Sequence, residues 1–205
     1  IRASYSSNFP VFDGNTVSSG VDYPAAVLCR GTIGVSGMLD NPVVVEGTLT
    51  VDTGVTLTVG SGNILYFKSG DLVVKGTLNA AGTSGEKIYF TSDNAEKAAG
   101  QWEQIRFYPG STGTMSHCVV EYAGRDGGTV SGYEAIEVHD GASLTFEDSE
   151  LRHITYSSSY TASGIYITGS SSEVTVRNSL FDNITSTAII VTDDSSPTLT
   201  DNQIS

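Results

Sequence analysis

Glu46–Gly62 reads EGTLTVDTGVTLTVGSG. Leucine or valine alternates with threonine, and Gly54, Gly60 and Gly62 interrupt the run. A period of two is the signature of a strand with one buried side. Threonine and valine are β-branched and suit a pleated surface. Part of the stretch returns as VVKGTLNAAG at Val73–Gly82. One strand of this length cannot bury its apolar side alone, so its rewriting predicts a stack in which each copy lies against the next.

The repetition extends along the chain. VVVEGTL (Val43–Leu49) matches LVVKGTL (Leu72–Leu78) at an offset of 29. LYFKSG (Leu65–Gly70) matches IRFYPG (Ile105–Gly110) at 40, followed by IEVHDG (Ile136–Gly141), IYITGS (Ile165–Ser170) and IIVTDD (Ile189–Asp194) at 31, 29 and 24. A second set drifts with the first: MSHCVV (Met115–Val120), FEDSEL (Phe146–Leu151), VRNSLF (Val176–Phe181) and LTDNQI (Leu199–Ile204) are spaced by 31, 30 and 23. Such periods belong to solenoids. Coiling would set each strand beside its counterpart one turn earlier, in parallel sheets about 4.8 Å apart per strand.

Inward residues then form columns. Leu65, Ile105, Ile136, Ile165 and Ile189 are expected in one, and Phe67, Phe107, Val138, Ile167 and Val191 in the next. Met115, Phe146, Val176 and Leu199 make a third, and Val120, Leu151, Phe181 and Ile204 a fourth. Asp93–Gln101, Gly124–Tyr133 and Thr155–Ser163 read as insertions between strands. His117, Asp148, Asn178 and Asp201 align at one turn position, followed by Cys118, Ser149, Ser179 and Asn202. Short polar side chains there tolerate a left-handed bend and bond local backbone. Glu46 and Lys75 align one repeat apart and read as a charge pair that fixes register.

The motifs GTLTVDTGVTLTV (Gly47–Val59), LYFKSGDLVVKGTL (Leu65–Leu78) and IRFYPGSTGTMSHCVVEYAG (Ile105–Gly124) resemble right-handed parallel β-helix repeat proteins of the pectate-lyase-like superfamily, of bacterial secreted type. The resemblance covers residues 43–205 and implies an all-β, right-handed parallel β-helix. Residues 1–42, with Phe9, Pro10, Phe12, Tyr23, Pro24 and Cys29, do not join the repeat and read as an N-terminal capping segment over the open first turn. The last residues, TDNQIS, fall within a repeat unit, so either the chain is truncated here or another molecule is expected to cover this end. Ile1 in place of methionine is expected of a processed chain.

The composition excludes several functions. Of the 205 residues 16 % are charged, and the formal net charge is −13. Such a surface repels nucleic acid and anionic membranes. No apolar run approaches the roughly 18 residues that span a bilayer. A low-lysine protein rich in Ser, Thr, Gly and Asn fits an extracellular or cell-surface setting. Cys29 and Cys118 allow a bridge or two buried thiols, and buried thiols are the plainer reading.

The outward residues follow from the columns. Tyr66, Arg106, Glu137, Tyr166 and Ile190 are expected in one outer row, with Lys68, Tyr108, His139, Thr168 and Thr192 in the next. Tyr66, Tyr108 and Tyr166 could offer rings to sugar faces, while Arg106, Glu137 and His139 could bond hydroxyls or a carboxylate. These six are the candidate ligand-binding residues. The structural alternative is an ordinary inter-strand pair, Arg106–Glu137, among exposed strand residues.

What the resemblance implies for chemistry is a calcium-binding acidic cluster with a base in the lyases, or paired aspartates in the hydrolases. Here Asp193-Asp194 is the single Asp-Asp pair, in an expected turn. Glu137 and His139 could act as acid and base, but the hydrolase motifs are missing. No cofactor is expected, Ca²⁺ entering only as a structural brace on loop carboxylates. His117, His139 and His153 fall on different faces, which argues against zinc. The sequence therefore favours a non-catalytic structural or adhesive solenoid, self-assembling end to end as a filament or surface subunit. The alternative is a carbohydrate-binding module, or a fragment of a polysaccharide lyase or hydrolase.

Overall fold

The computed structural model describes residues 2–4, 27–124, 134–154 and 162–205. Among them there is no helix. Strands β1 (Arg2–Ser4), β2 (Val27–Ile33), β3 (Gly37–Leu39), β4 (Val43–Val51) and β5 (Thr56–Val59) come first. Next are β6 (Ile64–Ser69), β7 (Leu72–Val74), β8 (Thr77–Ala81), β9 (Ile88–Ser92), β10 (Ile105–Phe107) and β11 (Thr112–Ser116). Then follow β12 (Cys118–Glu121), β13 (Glu134–Val138), β14 (Ser143–Glu147), β15 (Glu150–Ile154) and β16 (Ser163–Thr168). The last are β17 (Glu173–Arg177), β18 (Leu180–Ile184), β19 (Ile189–Thr192), β20 (Thr198–Thr200) and β21 (Gln203–Ile204).

All paired strands are parallel, and the chain coils through three faces in fixed order. One face is a seven-stranded sheet running β3, β5, β8, β11, β14, β17, β20. The other two belong to one 14-stranded sheet that bends at β4. Val43–Val45 of β4 pair with β6, and Leu49–Val51 pair with β7. The first face continues from β6 through β9, β12, β15 and β18 to β21, and the second from β7 through β10, β13 and β16 to β19. The expected parallel β-helix is therefore present.

The core is the set of inward columns. On the second face Leu49, Leu72, Ile105, Ile136, Ile165 and Ile189 lie in register. On the first face Val43, Leu65, Phe90, Val120, Leu151, Phe181 and Ile204 do so. On the third face Ala80, Met115, Phe146, Val176 and Leu199 align. From Ile105 to Ile165 the second-face column is fully buried, as is Val120 to Phe181 on the first face. Each such side chain contributes roughly 1.5–3 kcal/mol.

The columns agree with expectation from Ile105 onward and depart from it before. Leu65 and Phe67 do not head the columns of Ile105 and Phe107. They lie on the first face, where Leu65 pairs with Phe90. The residue beside Ile105 is Leu72, and the one beside Phe107 is Val74. The early turns are short: Gly37 pairs with Leu57 and Leu57 with Leu78, steps of 20 and 21 residues. The offsets of 29 and 40 thus linked strands on different faces. Likewise Glu46 does not meet Lys75; it pairs with Lys68 at 3.1 Å and Arg30 at 3.8 Å.

The segment from Asp93 to Gln104 is an insertion, joining β9 to β10 without a strand of its own. Trp102 anchors it, stacked on Phe67 at 4.1 Å and donating its indole N–H to the Glu121 carbonyl. The other two expected insertions lie almost wholly outside the described residues. They join β12 to β13 and β15 to β16, at the same corner of the coil. The expected division at 42/43 falls between β3 and β4; β2 pairs with β4, with a register shift between Cys29 and Gly31, and β3 pairs with β5. Most of residues 1–26, including Phe9, Pro10, Phe12, Tyr23 and Pro24, lie outside the described residues.

The aligned turn position is left-handed in each turn: His117, Asp148, Asn178 and Asp201 have φ of 51°, 49°, 50° and 54°. His, Asn and Asp tolerate that region better than other non-glycine residues. The next residues form a ladder along the coil. Cys118 N–H donates to Ser149 Oγ, Ser149 N–H to Ser179 Oγ, and Ser179 N–H to Asn202 Oδ1. The corner backbone that leaves the sheets is bonded by side chains one turn on, as buried amides require. Asp193 and Asp194 are exposed with φ of 52° and 60°, in a turn. Cys29 and Cys118 are buried and unbridged.

Candidate functional site

Alternation decides which side chains leave the core. Ile105 and Phe107 point inward, so Arg106 points out; Glu137 and Tyr166 do the same between Ile136/Val138 and Ile165/Ile167. Register places Arg106 beside Glu137, Glu137 beside Tyr166, and Tyr166 beside Ile190. Tyr108 and His139 follow the ends of their strands and stack, ring centroids 4.9 Å apart. Five of the six expected residues therefore share the second face.

Tyr66 does not. It belongs to β6 on the first face, beside Val44 and Thr91, with Lys97 Nζ 5.7 Å from its ring centre. Burial pushes its hydroxyl pKa up. Lys68, expected beside Tyr108, also stays on the first face with Glu46.

The second face is more closed than an outer sheet surface need be. Arg106 is 9 % exposed and Glu137 2 %. Arg106 Nε lies 3.1 Å from Glu137 Oε2, Nη2 lies 3.7 Å from Asp71 Oδ2, and Nη1 donates to the Tyr108 hydroxyl at 3.3 Å. Gln104, with its carboxamide oxygen turned to the guanidinium, accepts from Arg106 as well. Burial works against the Arg106 charge, but Tyr108, Glu137 and Asp71 outweigh it and hold its pKa above the ordinary value. His139 Nε2 is 3.4 Å from Glu137 Oε1. Lys75 Nζ sits 5.9 Å from the Tyr108 ring centre. Thr192 Oγ1 donates to the Tyr166 hydroxyl at 3.1 Å.

Asp71, Gln104 and Glu134 are buried members of this cluster that the sequence reading missed. Asp71 and Gln104 each stand just before the first inward residue of a strand, Leu72 and Ile105. Aligning those two strands would have found them. Asp71 Oδ1, Glu134 Oε2, Glu137 Oε2 and His139 Nε2 are shielded from solvent and make no hydrogen bond. Glu137 Oε2 stands at ion-pair distance from Arg106 without hydrogen-bond geometry. Burial, reinforced by Glu137, pushes the Glu134 pKa up, despite opposing effects from a backbone hydrogen bond and Arg106.

Charge ladders recur on the other faces. Thr91 donates to Glu121, and Arg152 bridges Glu121 at 2.8 Å and Glu150 at 3.0 Å. Arg177 Nε donates to Glu147 at 2.6 Å. Among the described residues, no three His, Cys, Asp or Glu side chains are placed to hold a metal ion. The acidic calcium cluster that the resemblance implies for lyases is not formed among the described residues. A shallow open depression lies away from the cluster, lined by Gly62, Ser84, Glu86, Lys87 and Tyr89.

Residues 4–204 match the family described as right handed beta helix region. No curated protein and no solved structure matches the chain.

Proposed function

Because the chain belongs to the right-handed beta helix family, we propose that it is a non-catalytic extracellular structural or adhesive solenoid, a rod that presents its side faces to other molecules. One observation carries this reading: the second face is closed on itself. Arg106 is held by Glu137, Asp71 and Tyr108, Tyr108 lies against His139 and near Lys75, and Tyr166 is bonded to Thr192. Side chains bonded to neighbours one turn away act as rungs. A general acid or base must reach a reacting bond, and Glu137 is 2 % exposed. The acidic, charge-poor composition supports an extracellular setting.

End-to-end association with a second copy is the finer part of this proposal. Val191, Leu199 and Ile204 are 41 %, 43 % and 70 % exposed, whereas Ile167, Val176 and Phe181 one turn earlier are fully buried. Parallel strands added to β19, β20 and β21, from residues that follow in the chain or from a second copy, would cover them; in the second case a head-to-tail contact builds an open filament.

The test combines sedimentation over a range of concentrations with incubation on polyuronates and calcium, and a glycan array. Concentration-dependent association, lost in Leu199→Asp/Ile204→Asp, and no unsaturated product are expected. A strict monomer removes the filament. Product formation would replace the reading with a lyase. Glycan binding abolished by Tyr108→Ala/Tyr166→Ala would replace it with a carbohydrate-binding module.

A further inference from the structure

We propose that the cluster of Asp71, Gln104, Arg106, Glu134 and Glu137 is a proton-binding device: it takes up a proton as its surroundings turn mildly acid, and the second face becomes more stable when it does. The inference begins with a charge count. Among the described residues, three buried carboxylates, Asp71, Glu134 and Glu137, face one buried guanidinium, Arg106. The other charged or titratable groups around them come from each neighbouring strand. Lys75, after β7, lies near the Tyr108 ring. Tyr108, after β10, accepts from Arg106. His139, after β13, faces Glu137, and Tyr166 on β16 stands beside Glu137 with its hydroxyl bonded to Thr192. None of these is a second cation bonded to Asp71 or Glu134.

The unpartnered atoms decide what can balance the excess. Among the described residues, Asp71 Oδ1, Glu134 Oε2 and Glu137 Oε2 are acceptors shielded from solvent without a donor. A buried acceptor left unmade is costly. A sugar hydroxyl or hydrated ion cannot reach atoms without accessible surface, and the carboxylates are not placed to share a metal. A proton can reach them. It removes one negative charge and turns an acceptor-only group into a donor, the chemistry the cluster lacks. Like charges buried together cannot all ionise at their ordinary values. Glu134, whose pKa is raised first by burial and then by Glu137, is the group that takes it.

The sign follows. A carboxyl with a raised native pKa binds its proton more tightly folded than unfolded. Its stabilising effect is full below the unfolded value and is lost as pH rises through the native value.

Thermal unfolding of the wild type, Glu134→Gln and a control, Glu173→Gln at an exposed position, from about pH 4 to pH 8 reads this window. Glu134→Gln mimics the protonated form. It is expected to melt about 2–4 °C above the wild type at the alkaline end, with the curves converging toward the acid end. The control should run parallel to the wild type. Parallel curves for Glu134→Gln would overturn the proposal. Should that variant fail to fold, a carbon-NMR titration of the Glu134 carboxyl in the wild-type protein decides: a midpoint clearly above the ordinary glutamate value supports it, and an ordinary midpoint ends it.

Discussion

Phe107 on β10 fills the space that a side chain at Gly113 on β11 would take. A Cβ built on Gly113 would collide with the Phe107 ring and lie 2.9 Å from Leu144. The neighbours of Gly113 in its column are Leu78 and Leu144. One turn has therefore exchanged a large residue on one face for a small one on another at nearly constant core volume. Gly113→Leu alone should destabilise by about 1–3 kcal/mol through overpacking. Combined with Phe107→Ala it should cost less than the two single changes added. Urea denaturation of the four proteins measures this coupling, and strict additivity would contradict it.

Removing the Arg106 charge should be the most damaging change on the second face. Arg106→Met leaves Asp71 and Glu137 buried without their cation, for an expected loss of about 3–5 kcal/mol near neutral pH. Arg177→Met removes an exposed partner of Glu147 and should cost under about 1 kcal/mol. Chemical denaturation of both variants checks the contrast.

The columns predict a gradient along the coil. Ile136 is fully buried and Val191 is 41 % exposed. Ile136→Ala should cost about 2–5 kcal/mol. Val191→Ala should cost well under half of that, since much of its side chain already meets water. Equal losses would show that the last turn is covered in solution.

The left-handed bends predict an order of substitutions at Asn178. Asn178→Gly should be near neutral, whereas Asn178→Val should lose about 1–2 kcal/mol, because a β-branched residue resists positive φ. A thermal melt separates them.

Burial pushes the Cys118 thiol far up from its ordinary value, and Cys29 is 1 % exposed. Neither should be alkylated in the native protein, since the thiolate is the reactive species. Modification in increasing urea should track the fluorescence of Trp102, the one tryptophan of the chain, which sits on Phe67 in the core. Rapid labelling of either cysteine without unfolding would contradict that burial.

The later turns were legible in the sequence because two motifs drift together there. The earlier ones were not, for a physical reason. LYFKSG and IRFYPG each describe inward residues at alternate positions followed by a left-handed glycine, Gly70 at φ 82° and Gly110 at φ 81°. That pattern says how a strand ends, not which face it occupies. The insertion before Ile105 hid the short step, and Tyr66 was assigned to the wrong row. Arg106, Tyr108, Glu137, His139 and Tyr166 were legible because alternation and register place them. Asp71, Gln104 and Glu134 stand ahead of the inward column residues of their strands, outside the motifs matched from repeat to repeat; Asp71 and Gln104 emerge only when the strands of Leu72 and Ile105 are aligned.

The serine and asparagine ladder gives the rod a direction. Each corner amide, at Cys118, Ser149 and Ser179, is completed by an oxygen from the following turn and never from the preceding one. Peeling away residues 198–205 strips the acceptor from the Ser179 amide, while the amides just past the corners, at Leu180 and Gln203, hold to the Ser149 and Ser179 carbonyls of the turn before. The side-chain rungs point one way along the rod and these main-chain rungs the other, so each coil is locked to both neighbours.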